Sequence, residues 1–390
     1  MNSDLTYFTE KKTILEHLIS NGVQNLKPLI ETLLNEAMKI ERQEALKVEP
    51  YERSPERAGY ANGFKERDYA SRMGSLRIQI PQVRGLSFYP RCLEKGERSE
   101  KALKIAIAEM YIQGVSTRKV LAITEELCGF EISSTQVSRC AKLLDEELQK
   151  FRERPLTAKY AYVFFDAIYE KVRHDHSVID MATLIAVGIT EDGKKEILGI
   201  SARLSESEVH WRAFFEDLQK RGLSGVRLFI SDDHAGMGAA RKAVFPAIKW
   251  QRCQFHMAQN AQSYSPKESM KKELGEAVRR IFHSCDYTAA QEEKRQCIAR
   301  YKVSAPEFAK WVENNIDEGL TCFSFPESHR KRIRTVNGLE RLNREIRRRT
   351  QVVTLFPNVA SCERLITAVL QGVHEEWIIG KRYLDMSLLK

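Results

Sequence analysis

The stretch YAYVFFDAIYEKVR, Tyr160 to Arg173, sets an acid in the middle of the most apolar run of its neighbourhood. Side chains alternate across a strand, so Tyr162, Phe164 and Asp166 share one face. A carboxylate that enters a sheet this way needs a partner, because an unpaired one is costly to bury. That partner is a structural Arg or Lys, or a metal ion, and Asp166 by itself leaves both open.

The same stretch begins a run of strands. Periodicity predicts strands over 160–172, 178–189 and 195–204, the last two joined by the turn Glu191-Asp192-Gly193-Lys194. A helix over 207–220, a strand VRLFISD over 226–232, a helix from about Ala235 and a short strand near 250–255 follow. Three consecutive strands, then helices alternating with strands, predict a mixed α/β sheet. From Met257 to about Ile333, runs such as ESMKKELGEAVRRIF and APEFAKWVENNI predict an all-helical insertion. An α-rich part from Asn337 onward is expected to return to the sheet.

Ahead of the sheet the texture differs. Leu26, Leu29, Ile30, Leu33, Leu34, Ala37 and Met38 recur at helical spacing, predicting an amphipathic helix over about 25–45 used for packing or self-association. Residues 53–85 read as turns and basic residues, with a short strand through Leu76, Ile78 and Ile80 that Pro81 ends. Within GVSTRKVLAITEELCGFEISSTQVSRCAKLL, Ser116 starts one helix, Gly129 breaks it, and Ser133 starts another with Gln136 in capping-box position. Such a pair is a DNA-reading unit or an ordinary helical hairpin.

At 390 residues, two or three domains are expected. A mean hydropathy of −0.42, the lack of a long apolar run and a Met-Asn-Ser-Asp start predict a cytoplasmic protein with no membrane association. The eight cysteines form no CxxC pair, against a disulfide framework or a standard zinc finger. The net charge of +9 suits a polyanionic partner. Nine basic residues lie between Arg330 and Arg349 against two acids, Glu340 and Glu345.

Asp232 closes its predicted strand, where ligand chemistry in α/β sheets gathers. Asp233 beside it is read as a helix cap. Glu340, in TVNGLERLNREIRRRT, either completes a capping box with Asn337 or sets a metal-binding carboxylate beside a phosphate-binding helix. Carboxylates drawn from a strand centre, a strand end and a helix suit Mg²⁺. Two such ions roughly 4 Å apart stabilise the attacking and leaving oxygens of in-line displacement at phosphorus.

DAIYEKVR around Asp166, SDDHAG around Asp232, WQRCQFH from Trp250 to His256 and NGLERLNREIRRRTQVVTLFPN from Asn337 to Asn358 resemble the Mutator-type transposases of bacterial insertion sequences. RAGYANGF, MYIQGVSTRKV and SSTQVSR are similar to the same family, so the resemblance spans nearly the whole chain. It implies a DDE transposase with a ribonuclease H-like mixed-sheet core, interrupted by an all-helical insertion and preceded by mainly helical DNA-binding segments. It implies that Asp166, Asp232 and Glu340 bind two Mg²⁺ ions, with Mn²⁺ able to substitute. Water would free a 3′-hydroxyl at the element's end, and that hydroxyl would attack a second phosphodiester.

The resulting division is a helical packing or dimerisation region (1–50), a basic, partly β DNA-binding segment (51–100) and a helix-turn-helix-like region (101–154). The first part of the core (155–256), the insertion (257–334) and the last part of the core (335–390) follow. Expected partners are the double-stranded DNA of terminal inverted repeats and target, in a dimer or higher assembly, with the protein at the nucleoid when acting. Arg118, Lys119, Ser134, Gln136, Arg139, Arg341, Arg344, Arg347, Arg348 and Arg349 are the expected DNA contacts. Cys253 and His256 are read as shaping the active-site wall, CxxH alone supplying two of zinc's four ligands. Glu170 is expected to pair with Lys171 or Arg173 of a neighbouring strand, Trp211 to pack, and His234 to be dispensable as a base. A nuclease of the same fold that never joins strands, and a DNA-binding protein with structural acids, stay open as alternatives.

Overall fold

The computed structural model describes residues 26–48, 52–93, 95 and 97–389, in two compact units, 1–144 and 145–390. Most of the first fifty residues therefore lie outside the description, apart from helix α1 (Lys27–Leu46), which has Pro28 in its first turn.

In the first unit, α1 packs on a long antiparallel hairpin, β1 (Tyr60–Ser71) and β2 (Gly74–Arg84), through Met38, Leu76, Ile78, Ile80 and Leu93. YANGFKERDYAS is thus a strand, where turns were expected, and β2 runs on past Pro81. Proline is tolerated because the sheet has two strands, so each has an open edge that needs no ladder donor. Three helices follow: α2 (Lys101–Ile112), α3 (Thr117–Cys128) and α4 (Ser134–Lys142). They share a core of Leu103, Ile107, Ala108, Val120, Ile132, Val137 and Cys140. Ser116 caps α3, Gly129 ends it at φ 68°, and Ser133 and Gln136 form a reciprocal capping box.

The second unit opens with α5 (Asp145–Glu153), which the sequence reading grouped with the preceding helices. Arg364 of the C-terminal helix holds Asp145 with a two-pronged ion pair at 2.5 and 2.9 Å. The sheet has the order β5-β4-β3-β6-β7, comprising β3 (Tyr160–His174), β4 (Ser177–Thr190), β5 (Lys195–Arg203), β6 (Leu228–Ser231) and β7 (Lys249–Arg252). β3, β4 and β5 are antiparallel neighbours; β6 and β7 run parallel to β3. Helices α6 (Glu208–Lys220) and α7 (Ala235–Val244) cover one face over an aromatic core of Phe165, Trp211, Phe214, Phe215, Phe229 and Phe245.

Helices α8 (Gln254–Asn260), α9 (Lys271–Phe282), α10 (Tyr287–Tyr301) and α11 (Pro306–Asn315) build a second core around Leu274, Ile281, Phe308 and Val312. Then come α12 (Glu327–Ile333), α13 (Asn337–Thr350) and α14 (Val359–Ile379). α12 and α13 meet the face of β3 opposite the aromatic core. There Tyr162 packs edge-on against Phe325 and shares a 2.8 Å hydrogen bond with His329 Nδ1, while Asp166 meets Asn343. The predicted alternation of Tyr162, Phe164 and Asp166 is therefore real, and their face looks toward these helices. Among the described residues, no helix is long and apolar enough to cross a membrane.

Candidate active site

Parallel pairing sets Phe164 of β3 opposite Ile230 of β6. Two residues further along the chain in each case come Asp166, in the middle of β3, and Asp232, just past the end of β6. Glu340 arrives from elsewhere, in the first turn of α13. The three acids line one cavity of about 540 Å³ with Glu206, His234, His256, Asn343, Arg344 and Arg347 among its other walls.

Asp166 has no ion-pairing Arg or Lys among the described residues. Its Oδ2 accepts a 2.7 Å hydrogen bond from Asn343 Nδ2, and its Oδ1 accepts from the Ala167 amide at 2.9 Å. Burial pushes its carboxyl above the ordinary carboxylate range; the Asn343 bond opposes the shift, and nearby Glu206 adds to it. Asp232 accepts from the Asp233 amide at 2.8 Å and faces His256 Nδ1 at 3.6 Å. Asp233 does not cap α7. Its Oδ2 pairs with Arg252 at 2.9 Å, and that guanidinium also reaches Glu318 at 3.1 Å.

Glu340 is not spent on a capping box either. Val336 is the residue before α13, and it has no side-chain cap, so Asn337 is already helical. The position is fixed from outside: the Val336 amide donates to Cys253 Sγ at 3.4 Å, and the Gln254 amide donates to Arg334 O at 3.0 Å. A carboxylate in the first turn is favoured by the helix dipole. The same clasp gives Cys253 its role. It is buried, starts α8, donates its amide to Ser231 O at 2.7 Å, and ties the Asp232 side of the cavity to the Glu340 side. His256, one turn into α8, is pushed up to about 9, first by its hydrogen bond to Cys253, against opposing burial, with Asp232 and Asp166 adding.

Two site residues escaped the sequence reading. Glu206, in the loop before α6, accepts from Tyr169 Oη at 2.5 Å and Trp211 Nε1 at 3.2 Å and faces His234 Nδ1 at 3.5 Å. Asn343 is the other. Its signal was available: it lies three residues after Glu340, on the same helix face. Glu170 lies outside the cavity's lining and accepts from Thr350 Oγ1 at 2.7 Å, where a cross-strand Lys or Arg was expected. Trp211 is buried against Phe165 and Phe215, as packing predicts, with one edge on the cavity.

The basic helix divides. Arg344 and Arg347 line the cavity, whereas Arg348, at 3.0 Å, and Arg349 both pair with Glu345. Arg341 is exposed on another side, near a cluster in which Lys195 lies over Trp377 and Tyr383 and Arg332 lies over Tyr383. In the first unit, Arg118, Lys119, Ser134 and Arg139 are exposed, and Gln136 Oε1 is engaged by the Ser133 amide at 2.6 Å.

The donors lining the cavity are mostly oxygens, five carboxylates and Asn343 Oδ1, a buried acceptor with no hydrogen-bond partner, with the imidazoles of His234 and His256 beside them. That set fits a hard divalent cation better than zinc. Among the described residues, no three His, Cys, Asp or Glu side chains are grouped closely enough to hold a metal ion.

Known proteins speak to the same region. A transposase for insertion sequence element IS406 of Burkholderia multivorans is 48% identical over 372 residues, covering 95% of this chain and 96% of that one. The transposase for ISRM5 of Rhizobium meliloti is 42% identical over 98% of this chain and 96% of its own. The transposase for IS256 in transposon Tn4001 of Staphylococcus aureus is 38% identical over 96% and 95%. Among solved structures, a chain of the simian T-cell lymphotropic virus intasome in complex with PP2A regulatory subunit B56 gamma aligns at 10% identity over 54% of this chain and 68% of that one. Its TM-score is 0.19. The family model described as "Transposase, Mutator family" matches residues 5–380, taking in Asp166, Asp232 and Glu340, so the chain belongs to the Mutator family of transposases.

Proposed function

We propose that this chain is a DDE transposase with a ribonuclease H-like core, cleaving DNA at the ends of an insertion sequence and joining the freed 3′-hydroxyl to a second phosphodiester. Asp166, Asp232 and Glu340 would hold Mg²⁺. The observation that carries the reading is that these three carboxylates, distant in sequence, line one cavity with two arginines. A sheet of three antiparallel strands extended by two parallel ones beside Asp166 agrees with such a core.

When bound among these oxygens, Mg²⁺ would stabilise the attacking and leaving oxygens of an in-line displacement at phosphorus. The chain's own groups prepare the site. Asn343 and the Ala167 amide fix the rotamer of Asp166. Arg344 and Arg347, which line the cavity and form no close ion pair among the described residues, would grip the phosphodiester's non-bridging oxygens. His256, pushed up to about 9 first by its hydrogen bond to Cys253, faces Asp232 and favours its ionised form. The exposed Arg118, Lys119, Ser134 and Arg139 would bind the terminal inverted repeats, and a dimer or higher assembly would hold two ends together.

The test is incubation with a labelled terminal-repeat duplex and Mg²⁺. Asp166→Asn, Asp232→Asn and Glu340→Gln should each abolish cleavage and keep end binding. Hydrolysis by the native chain with no joined product would favour a simple nuclease, and normal cleavage by all three variants would remove the triad from the chemistry.

A further inference from the structure

Six buried side-chain polar atoms have no hydrogen-bond partner among the described residues, and three of them belong to residues lining the acidic cavity: His234 Nδ1, His256 Nδ1 and Asn343 Oδ1. The two histidine nitrogens each face a carboxylate just beyond hydrogen-bond reach, Glu206 at 3.5 Å and Asp232 at 3.6 Å. Asn343 Oδ1 is buried with no donor within hydrogen-bond reach. Buried acceptors are ordinarily satisfied, and one left alone costs on the order of 1–3 kcal/mol.

The orphan is not a misassigned amide. Turning the side chain over would aim Oδ1 at the Asp166 carboxylate and exchange a 2.7 Å hydrogen bond for a repulsion between two oxygens. The side chain is therefore committed to presenting N–H to Asp166 and its carbonyl elsewhere. Position reinforces the point, because Glu340, Asn343 and Arg347 follow at i, i+3 and i+7, one stripe of α13, and all three line the cavity. Asn343 is the neutral member of the stripe, between an acid and a base.

We propose that Asn343 is the positioning residue of the cation site: it sets the Asp166 carboxylate through Nδ2 and completes the oxygen set with Oδ1 when the acids close on a divalent ion. An amide does what neither neighbour type does. An Asp at 343 would face Asp166 as a like charge, and a Lys or Arg would neutralise Asp166 and compete with the ion. The inference rests on the reading that the cavity binds a divalent cation.

The experiment is a Mn²⁺ titration of the full-length chain followed by electron paramagnetic resonance, with melting temperatures in EDTA and in Mn²⁺. Native protein should bind Mn²⁺ and melt higher with it. Asn343→Ala should melt in EDTA within about 2 °C of native and bind Mn²⁺ at least ten-fold more weakly, the scale on which groups that orient metal ligands act. A purely structural asparagine would show the reverse, a lower melting temperature in EDTA with unchanged Mn²⁺ affinity, and that result overturns the proposal. Should the alanine variant fail to fold, Asn343→Leu, of similar volume, reads the same affinity and decides in the same way. Asp166→Asn separates the premises. If native protein and Asp166→Asn bind Mn²⁺ alike, the cation reading of the cavity fails; if only Asp166→Asn loses binding and Asn343→Ala does not, the assignment of Asn343 fails alone.

Discussion

Asp166→Asn should stabilise the cation-free protein while removing its chemistry. In the folded chain the carboxylate is partly buried on the cavity wall, has no ion-pairing Arg or Lys among the described residues, and is held by two hydrogen-bond donors, Asn343 Nδ2 and the Ala167 amide. An asparagine keeps an acceptor for the Asn343 amide and sheds the charge. Relief of a buried polar group of this kind is worth on the order of 1–3 kcal/mol, and a unit of this size gains about 2–4 °C in melting temperature per kcal/mol. The rise is limited by His256, whose positive charge already offsets part of the burden.

The sign with pH follows from burial. Because the folded carboxyl holds its proton above its ordinary value of 3.8, the cost is absent below that pH and grows as pH rises through the folded value. Calorimetry in EDTA should therefore show the variant melting at least about 2 °C above native at pH 7, with the gap narrowing toward pH 4. A variant that melts lower at pH 7, or a gap that does not vary with pH, would refute the claim that an uncompensated charge sits there.

Arg344→Ala and Arg347→Ala should each reduce the slope of log binding constant against log salt by about 0.9 in DNA titrations. Arg348→Ala, whose guanidinium is shared with Glu345, should change it less, and equal effects from all three would contradict the division of the helix. Burial pushes His374 down to about 4, with Arg154 adding, and its Nδ1 accepts from the Ile197 amide at 3.3 Å. Its contribution is whole above about pH 6.5 and fades as pH falls toward 4, by about 3 kcal/mol; urea unfolding of His374→Gln should lack that part of the acid slope. Gly193 has φ 82° and packs against the Leu384 carbonyl, so Gly193→Ala should lower the melting temperature by several degrees and expose the C-terminal segment to proteolysis.

What the sequence revealed, and what it hid, follows from how local each cause is. Strand alternation through Asp166 and the cap, stop and cap of Ser116, Gly129 and Ser133 depend on neighbours in the chain, and the structure reproduces them. Pro81 misled because a proline's effect depends on which edge is paired, which a single strand does not reveal. Asn337 and Asp233 have the composition of caps, but groups distant in sequence override local chemistry: Cys253 and Gln254 fix the start of α13, and Arg252 takes Asp233. Glu206 reads as an ordinary loop acid until the fold brings Tyr169, Trp211 and His234 around it.

The clasp between β7 and α13 has a further effect. The chain departs for its helical excursion at Gln254 and comes back at Arg334, and these two residues are hydrogen-bonded to each other. Departure and return share one doorway. Helices α9 to α11 can lengthen, shorten or be replaced over evolutionary time, provided Glu318 and Gly319 keep their ties to Arg252, Gln251 and Gln254, without changing how Asp232 stands to Glu340.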